Sequence, residues 1–150
     1  MPRLLIVHHS PTPSIRSIAD AVIEGARSAA DDGVEIVVRE ALDATIEDVL
    51  AADGYLLGTP ANFGYISGAL KHFFDTTYDD THQATARRPF SYWIHGRFDT
   101  TGAERAMQSI TTGYKFKLAH EPLVFTGDVS EEHLGAAAEL GATVAWTLTM

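Results

Sequence analysis

Cysteine is absent from the 150 residues, which excludes disulfides, thiolate zinc sites, iron–sulfur clusters and a cysteine nucleophile. Cationic side chains are scarce. Eleven Lys and Arg against 20 Asp and Glu leave a formal charge of −9, so nucleic acid, which demands a cationic surface to displace counterions, is not an expected partner. Long apolar runs are missing as well. Leu4–Val7 is too short for the core of a signal peptide and nothing approaches a membrane span, so the expectation is a cytoplasmic protein with no membrane partner. No Pro/Gly/Ser-rich linker or internal repeat interrupts the chain, and residues 1–150 read as a single domain.

Several site motifs are also lacking. Neither Gly-x4-Gly-Lys-Ser/Thr nor Gly-x-Ser-x-Gly is present, against a P-loop NTPase and an α/β-hydrolase. No Gly-x-Gly-x-x-Gly follows the first apolar run, against a Rossmann dinucleotide site. His8-His9-Ser10 stands where a receiver domain would carry an acidic cluster. The adjacent His8 and His9 face opposite sides of a strand, so no metal site is expected.

What is present, in a chain 45% hydrophobic, is an alternation of two hydrophobic periods. Leu4–Val7 predicts a strand covered on both faces, and Ile15, Ile18, Ala19, Val22 and Ala26 predict a helix with Ser14 as its N-cap and Asp31-Asp32-Gly33 at its end. The beat recurs. Strands are predicted at Val34–Val38, Gly54–Leu57, Phe90–Ile94 and Leu123–Phe125. Helical stripes are predicted at Ile46–Leu50, at Ile66, Leu70, Phe73 and Phe74, at Ala103, Ala106, Met107, Ile110 and Tyr114, and at Leu134, Ala137, Ala138, Val144, Ala145 and Leu148. Strict βα alternation implies a three-layer α/β fold, a doubly wound five-stranded parallel sheet with helices on both faces. Order 2-1-3-4-5 suits five strands and places a ligand over the carboxyl ends of strands one and three.

Three loops meet at that edge. In the first, Ser10, Thr12 and Ser14 put three hydroxyls before a helix N-terminus, where free N–H groups and the dipole favour a phosphate; Arg16 can add a charge, and a plain Pro-rich turn with a Ser cap is the alternative. In the second, Gly58–Gly64, Pro60 and Gly64 bracket a tight turn, and Phe63 or Tyr65 offers a surface to a planar ring. In the third, His95–Gly102, Gly96 and Gly102 permit close backbone approach beside His95, Arg97 and Phe98. A ligand combining phosphate with a flat ring is the economical inference.

These residues resemble the flavodoxin-like FMN-binding flavoproteins, above all the tryptophan-repressor-binding-protein type of NAD(P)H:quinone oxidoreductase. His8–Ile15, running into Ala19–Val22 and Glu24–Ala26, looks like that family's FMN-phosphate loop and first helix. Ala52–Gly64, with Ser67-Gly68, Lys71 and Phe74-Asp75, is similar to its isoalloxazine segment. Leu118-Ala119-His120 and Ser130–Leu134 resemble further family segments. The resemblance implies that Ser10, Thr12, Pro13, Ser14 and Ile15 hold the phosphate. It implies that Pro60, Ala61, Asn62, Phe63 and Gly64 line the ring, that His95, Gly96, Arg97, Phe98 and Asp99 close its other edge, and that His120 lies near the flavin. It departs from the family at Arg97–Thr100, where relatives are glycine-rich, and at Gly127-Asp128-Val129, where they carry a long insertion.

Two functions follow from the resemblance. One is an FMN-dependent reductase taking electrons from NADPH or NADH to a quinone or similar small acceptor. The other is a flavodoxin-type electron carrier whose acidic surface steers it to a redox partner protein. A domain of this fold without flavin is the third alternative. A homodimer is the expected assembly.

Overall fold

The structure, a computed structural model, describes the whole chain from Met1 to Met150. Its elements alternate as the periodicity predicts. β1 (Arg3–His8), β2 (Glu35–Glu40), β3 (Gly54–Asn62) and β5 (Pro89–Gly96) are parallel neighbours in the order β2-β1-β3-β5. The far edge holds two short parallel strands, β6 (Lys117–Leu118) beside the start of β5 and β7 (Leu123–Thr126) beside its end. Helices α1 (Pro13–Ala30), α2 (Ile46–Ala51), α3 (Gly68–Thr81), α4 (Thr101–Tyr114) and α5 (Glu131–Thr147) complete the three layers.

The fold is thus the flavodoxin-like α/β arrangement, with its switch of winding between β1 and β3 as predicted and two differences in detail. The single fifth strand expected is split. Between the pairs Phe90↔Leu118 and Trp93↔Leu123, the four residues 119–122 face only Ser91 and Tyr92, so the edge chain must bulge outward. Pro122 has no N–H for the ladder, and the Ser91 hydroxyl donates instead to the His120 carbonyl at 2.9 Å. The second difference is an added strand, β4 (Tyr65–Ile66), which turns back antiparallel on the end of β3. Ile66, expected on the third helix, therefore lies in β4, and the helix begins two residues later.

Side-chain alternation along the strands divides the interior in two. Leu5, Val7, Tyr55, Leu57, Phe90, Tyr92 and Ile94 pack beneath α3 and α4. Leu4, Ile6, Leu56 and Trp93 pack beneath α1 and α5. On that second face the two helices cross at backbone contact. A β-carbon on Gly25 would overlap the Ala138 carbonyl, and one on Gly141 would overlap that of Val22.

Candidate functional site

The first loop runs from the end of β1 to α1. Thr12, not Ser14, is the N-cap: its backbone is extended and its hydroxyl accepts from the Ile15 N–H at 3.3 Å. Pro13 then takes the first helical position, where its missing N–H costs nothing. Ser14 follows as an exposed hydroxyl in the first turn, and Ile15 is half-buried. Arg16 is turned away, its guanidinium 3.3 Å from Glu40 and 3.9 Å from Asp20. Beneath the loop, Ser10 Oγ lies 2.8 Å from Nδ1 of the buried His8. Burial holds the His8 imidazole below its ordinary pKa, and Arg16 lowers it further against the opposing pull of Glu40 and Asp20.

The second loop is shorter than the sequence predicts, because β3 continues through Pro60, Ala61 and Asn62. Pro60 is thus a strand residue paired with His95, and only Phe63 and Gly64 form the turn. Both have positive φ, 50° and 75°, the two-residue geometry that matches strand twist in a hairpin. The hairpin is pinned at its base: the buried Thr59 hydroxyl accepts from the Ser67 N–H at 2.9 Å, and Ser67 in turn caps α3. Its tip rests on α4, where a β-carbon at Gly102 would overlap the Gly64 carbonyl oxygen. Phe63 is consequently held wholly in solvent, 107% exposed.

The third loop begins two residues later than expected, at Arg97, since His95 and Gly96 complete β5. His95 Nε2 lies 2.6 Å from the Gly127 carbonyl and so carries a proton, and its ring stands edge-on to Phe125. Gly127 N–H donates to the Gly96 carbonyl, which ties the β7–α5 loop to the end of β5. Phe98 is almost fully exposed and Arg97 makes no ion pair. Asp99 faces α4: its carboxylate accepts from the Thr101 N–H at 2.9 Å and hydroxyl at 2.8 Å, bonds that hold it below the usual carboxylate range.

These loops enclose a cleft of about 580 Å³ across the carboxyl ends of β1, β3, β5 and β7, within the size range of cofactor sites. Of the predicted residues, Thr12, Ser14, Ile15, Pro60, Ala61, Asn62, His95 and Arg97 line it. Ser10, Pro13, Phe63, Gly64, Gly96, Phe98 and Asp99 stand behind or beside these lining residues. His120 is not part of the cleft. It sits on the bulge between β6 and β7, its Nδ1 2.8 Å from the Glu121 carbonyl, and lines a separate recess with Glu139 of α5. Pro11, Gly127, Asp128 and Val129 line the cleft although the sequence reading does not place them among the site residues. The signal for the last three was available, because the loop after the fifth strand opens on the same sheet edge as the other three.

Asp128 is the sole carboxylate lining the cleft, against His95, Arg97 and two hydroxyls. Trp93 lies on the same face of β5 as His95, one pleat below, with its indole over Gly58, where any β-carbon would overlap the ring. Two buried nitrogens, Trp93 Nε1 and His9 Nδ1, have no partner within the chain. Hydroxyls at a helix N-terminus and an uncommitted guanidinium in the lining, with exposed Phe63 and Phe98 next in sequence to lining Asn62 and Arg97, fit a phosphate-bearing planar cofactor.

A profile of the NADPH-dependent FMN reductase family matches residues 12–127. A flavodoxin of Aquifex aeolicus is 39% identical over 80 residues, 53% of this chain and 42% of its own. An NAD(P)H dehydrogenase (quinone) of Acidithiobacillus ferrooxidans is 30% identical over 97 residues, 51% of this chain and 48% of its own. The chain thus spans about half the length of the curated relatives it matches. Among solved structures, a WrbA-like flavodoxin from Agrobacterium tumefaciens superposes with a TM-score of 0.79 at 19% identity, covering 99% of this chain and 98% of its own.

Proposed function

The chain belongs to the NADPH-dependent FMN reductase family, and from that premise we propose that its cleft holds FMN and that the protein is an NAD(P)H-dependent reductase of a quinone or similar small acceptor. The observation that carries the reading is the polarity of the cleft. Two lining hydroxyls, Thr12 and Ser14, stand at the N-terminus of α1, Pro60, Ala61 and Asn62 line the cleft from β3, and His95 and Arg97 line it from β5 and the loop after it. FMN, when held there, would supply the two-electron chemistry between a reduced nicotinamide and the acceptor. The chain's own part is to bind, orient and tune. Ser10, Thr12 and Ser14, with the first turn of α1, hold the phosphate. Pro60, Ala61 and Asn62 give the ring a wall fixed by the Thr59–Ser67 hydrogen bond. Arg97 brings positive charge to the opposite side, and His95 keeps Nε2–H committed to Gly127, leaving Nδ1 as its free ring atom.

The second reading, an electron carrier, is supported by the likeness to the Aquifex flavodoxin and by the −9 charge. Anaerobic addition of NADPH, then NADH, to the flavin-loaded protein separates the two. Prompt loss of visible flavin absorbance with either nucleotide is the expected result. Absorbance unchanged by both contradicts the reductase and favours the carrier.

A further inference from the structure

His8 is the one polar side chain among the innermost residues of β1. It is 2% exposed, on the same sheet face as Leu4 and Ile6, with its ring tilted at 6.2 Å from Trp93 and Nδ1 2.8 Å from Ser10 Oγ. We infer that His8 is a positioning residue that turns the Ser10 hydroxyl toward the flavin phosphate, so that the tautomer of one buried imidazole decides whether the cradle accepts an anion. The inference rests on the FMN reading above.

The argument is one of hydrogen-bond polarity. A serine hydroxyl has one hydrogen to give. If the His8 proton sits on Nε2, bare Nδ1 accepts that hydrogen, and Ser10 can present only lone pairs to an incoming phosphate. If the proton sits on Nδ1, it donates to Ser10 Oγ, and the hydroxyl hydrogen is released toward the loop. The same bond length serves both arrangements, so an anion on the loop selects the second without moving a heavy atom. Charges around the ring keep this choice between neutral forms. Arg16 and His9 oppose a second proton, Glu40 and Asp20 favour one, and burial outweighs them in keeping the ring uncharged. The hydrogen bond also explains why a histidine occupies a position that its neighbours Leu4 and Ile6 would otherwise fill with aliphatic packing.

Dissociation constants for FMN and for riboflavin, which lacks the phosphate, provide the test, read by flavin fluorescence. His8→Phe is expected to weaken FMN about tenfold, the cost of misdirecting one charge-assisted hydrogen bond, and to leave riboflavin unchanged. The double variant with Ser10→Ala should bind FMN no more weakly than Ser10→Ala alone, because both act through one hydroxyl. His8→Asn, whose amide N–H stands near the place of Nδ1, should restore FMN binding. Nitrogen-15 NMR of the unaltered protein reads the same point independently of any variant's folding: His8 Nδ1 should be protonated in the FMN complex. Bare Nδ1 in that complex overturns the inference, as does His8→Phe weakening both flavins alike. Failure of the unaltered protein to bind either flavin instead removes the FMN reading itself.

Discussion

Phe63 and Gly102 show how single residues shape the cleft. The Phe63–Gly64 turn holds an aromatic ring in solvent on a left-handed backbone, and the turn lies against an α4 residue with no side chain. Gly102→Ala has to push the Gly64 carbonyl outward, at a cost of about 1–3 kcal/mol. Flavin binding should weaken with it, because the hairpin carries Asn62 and Ala61. Calorimetry of the variant with and without FMN checks this, and full affinity alongside lowered stability would show that the hairpin does not touch the cofactor. A second residue-scale prediction concerns alkaline pH. Tyr114, buried between the Thr77 hydroxyl and the Phe74 carbonyl, has its phenol pushed up to about 12, chiefly by burial. The unfolded chain releases that proton first, near pH 10, so ionisation favours unfolding. Stability should hold up to about pH 10 and fall between there and about 12, a fall in which Tyr55 and Tyr92 share, since burial raises both. Denaturant midpoints for Tyr114→Phe should fall less steeply across that window; an identical slope counts against the assignment.

At the level of elements, the α1–α5 crossing is set by Gly25 and Gly141, each seated against a partner carbonyl. Gly25→Ala should cost about 1–3 kcal/mol by overpacking. Gly135→Ala, on α5 with nothing within 4 Å of the added carbon, should instead gain about 0.5–1 kcal/mol from helix propensity. Melting temperatures moving in opposite directions confirm the crossing geometry, and two equal shifts refute it. Both glycines stand within helical stripes whose apolar members announced the helices. What the spacing could not convey was how closely the two helices approach, because that depends on pairing residues more than a hundred positions apart. The principal strands were equally legible, but the short strands β4 and β6 and the strand ends were not. Gly58-Thr59-Pro60 reads as punctuation, yet β3 continues through it. Pairing of Gly58, Thr59 and Pro60 with β5, and the need of Trp93 for a glycine beneath it, outweigh the local turn signal. The break between β6 and β7 was hidden for a similar reason. Leu118, Ala119 and His120 gave no sign of a two-residue excess relative to β5, and that excess carries His120 away from the sheet edge where resemblance to relatives had put it.

For the whole molecule, the reversal of winding between β1 and β3 brings distant loops to one edge, and most of the site could be read because fold order alone names those loops. Thr12, Ser14, Asn62, His95 and Arg97 meet there from segments up to 85 residues apart. The orientations were beyond the sequence: Arg16 drawn to Glu40, Asp99 to α4, and His8 to Ser10 each depend on a partner that only the packed structure supplies. The absence of cysteine and the −9 charge restrict the chemistry, and the residues lining the cleft are what support the proposed FMN site. Equilibrium titration of the purified protein with FMN, followed by quenching or spectral shift of the flavin, tests that proposal most directly. A saturable one-to-one complex that is lost in Asn62→Trp is the predicted result. FMN that remains spectroscopically free at every protein concentration, or that binds Asn62→Trp with unchanged affinity, contradicts it.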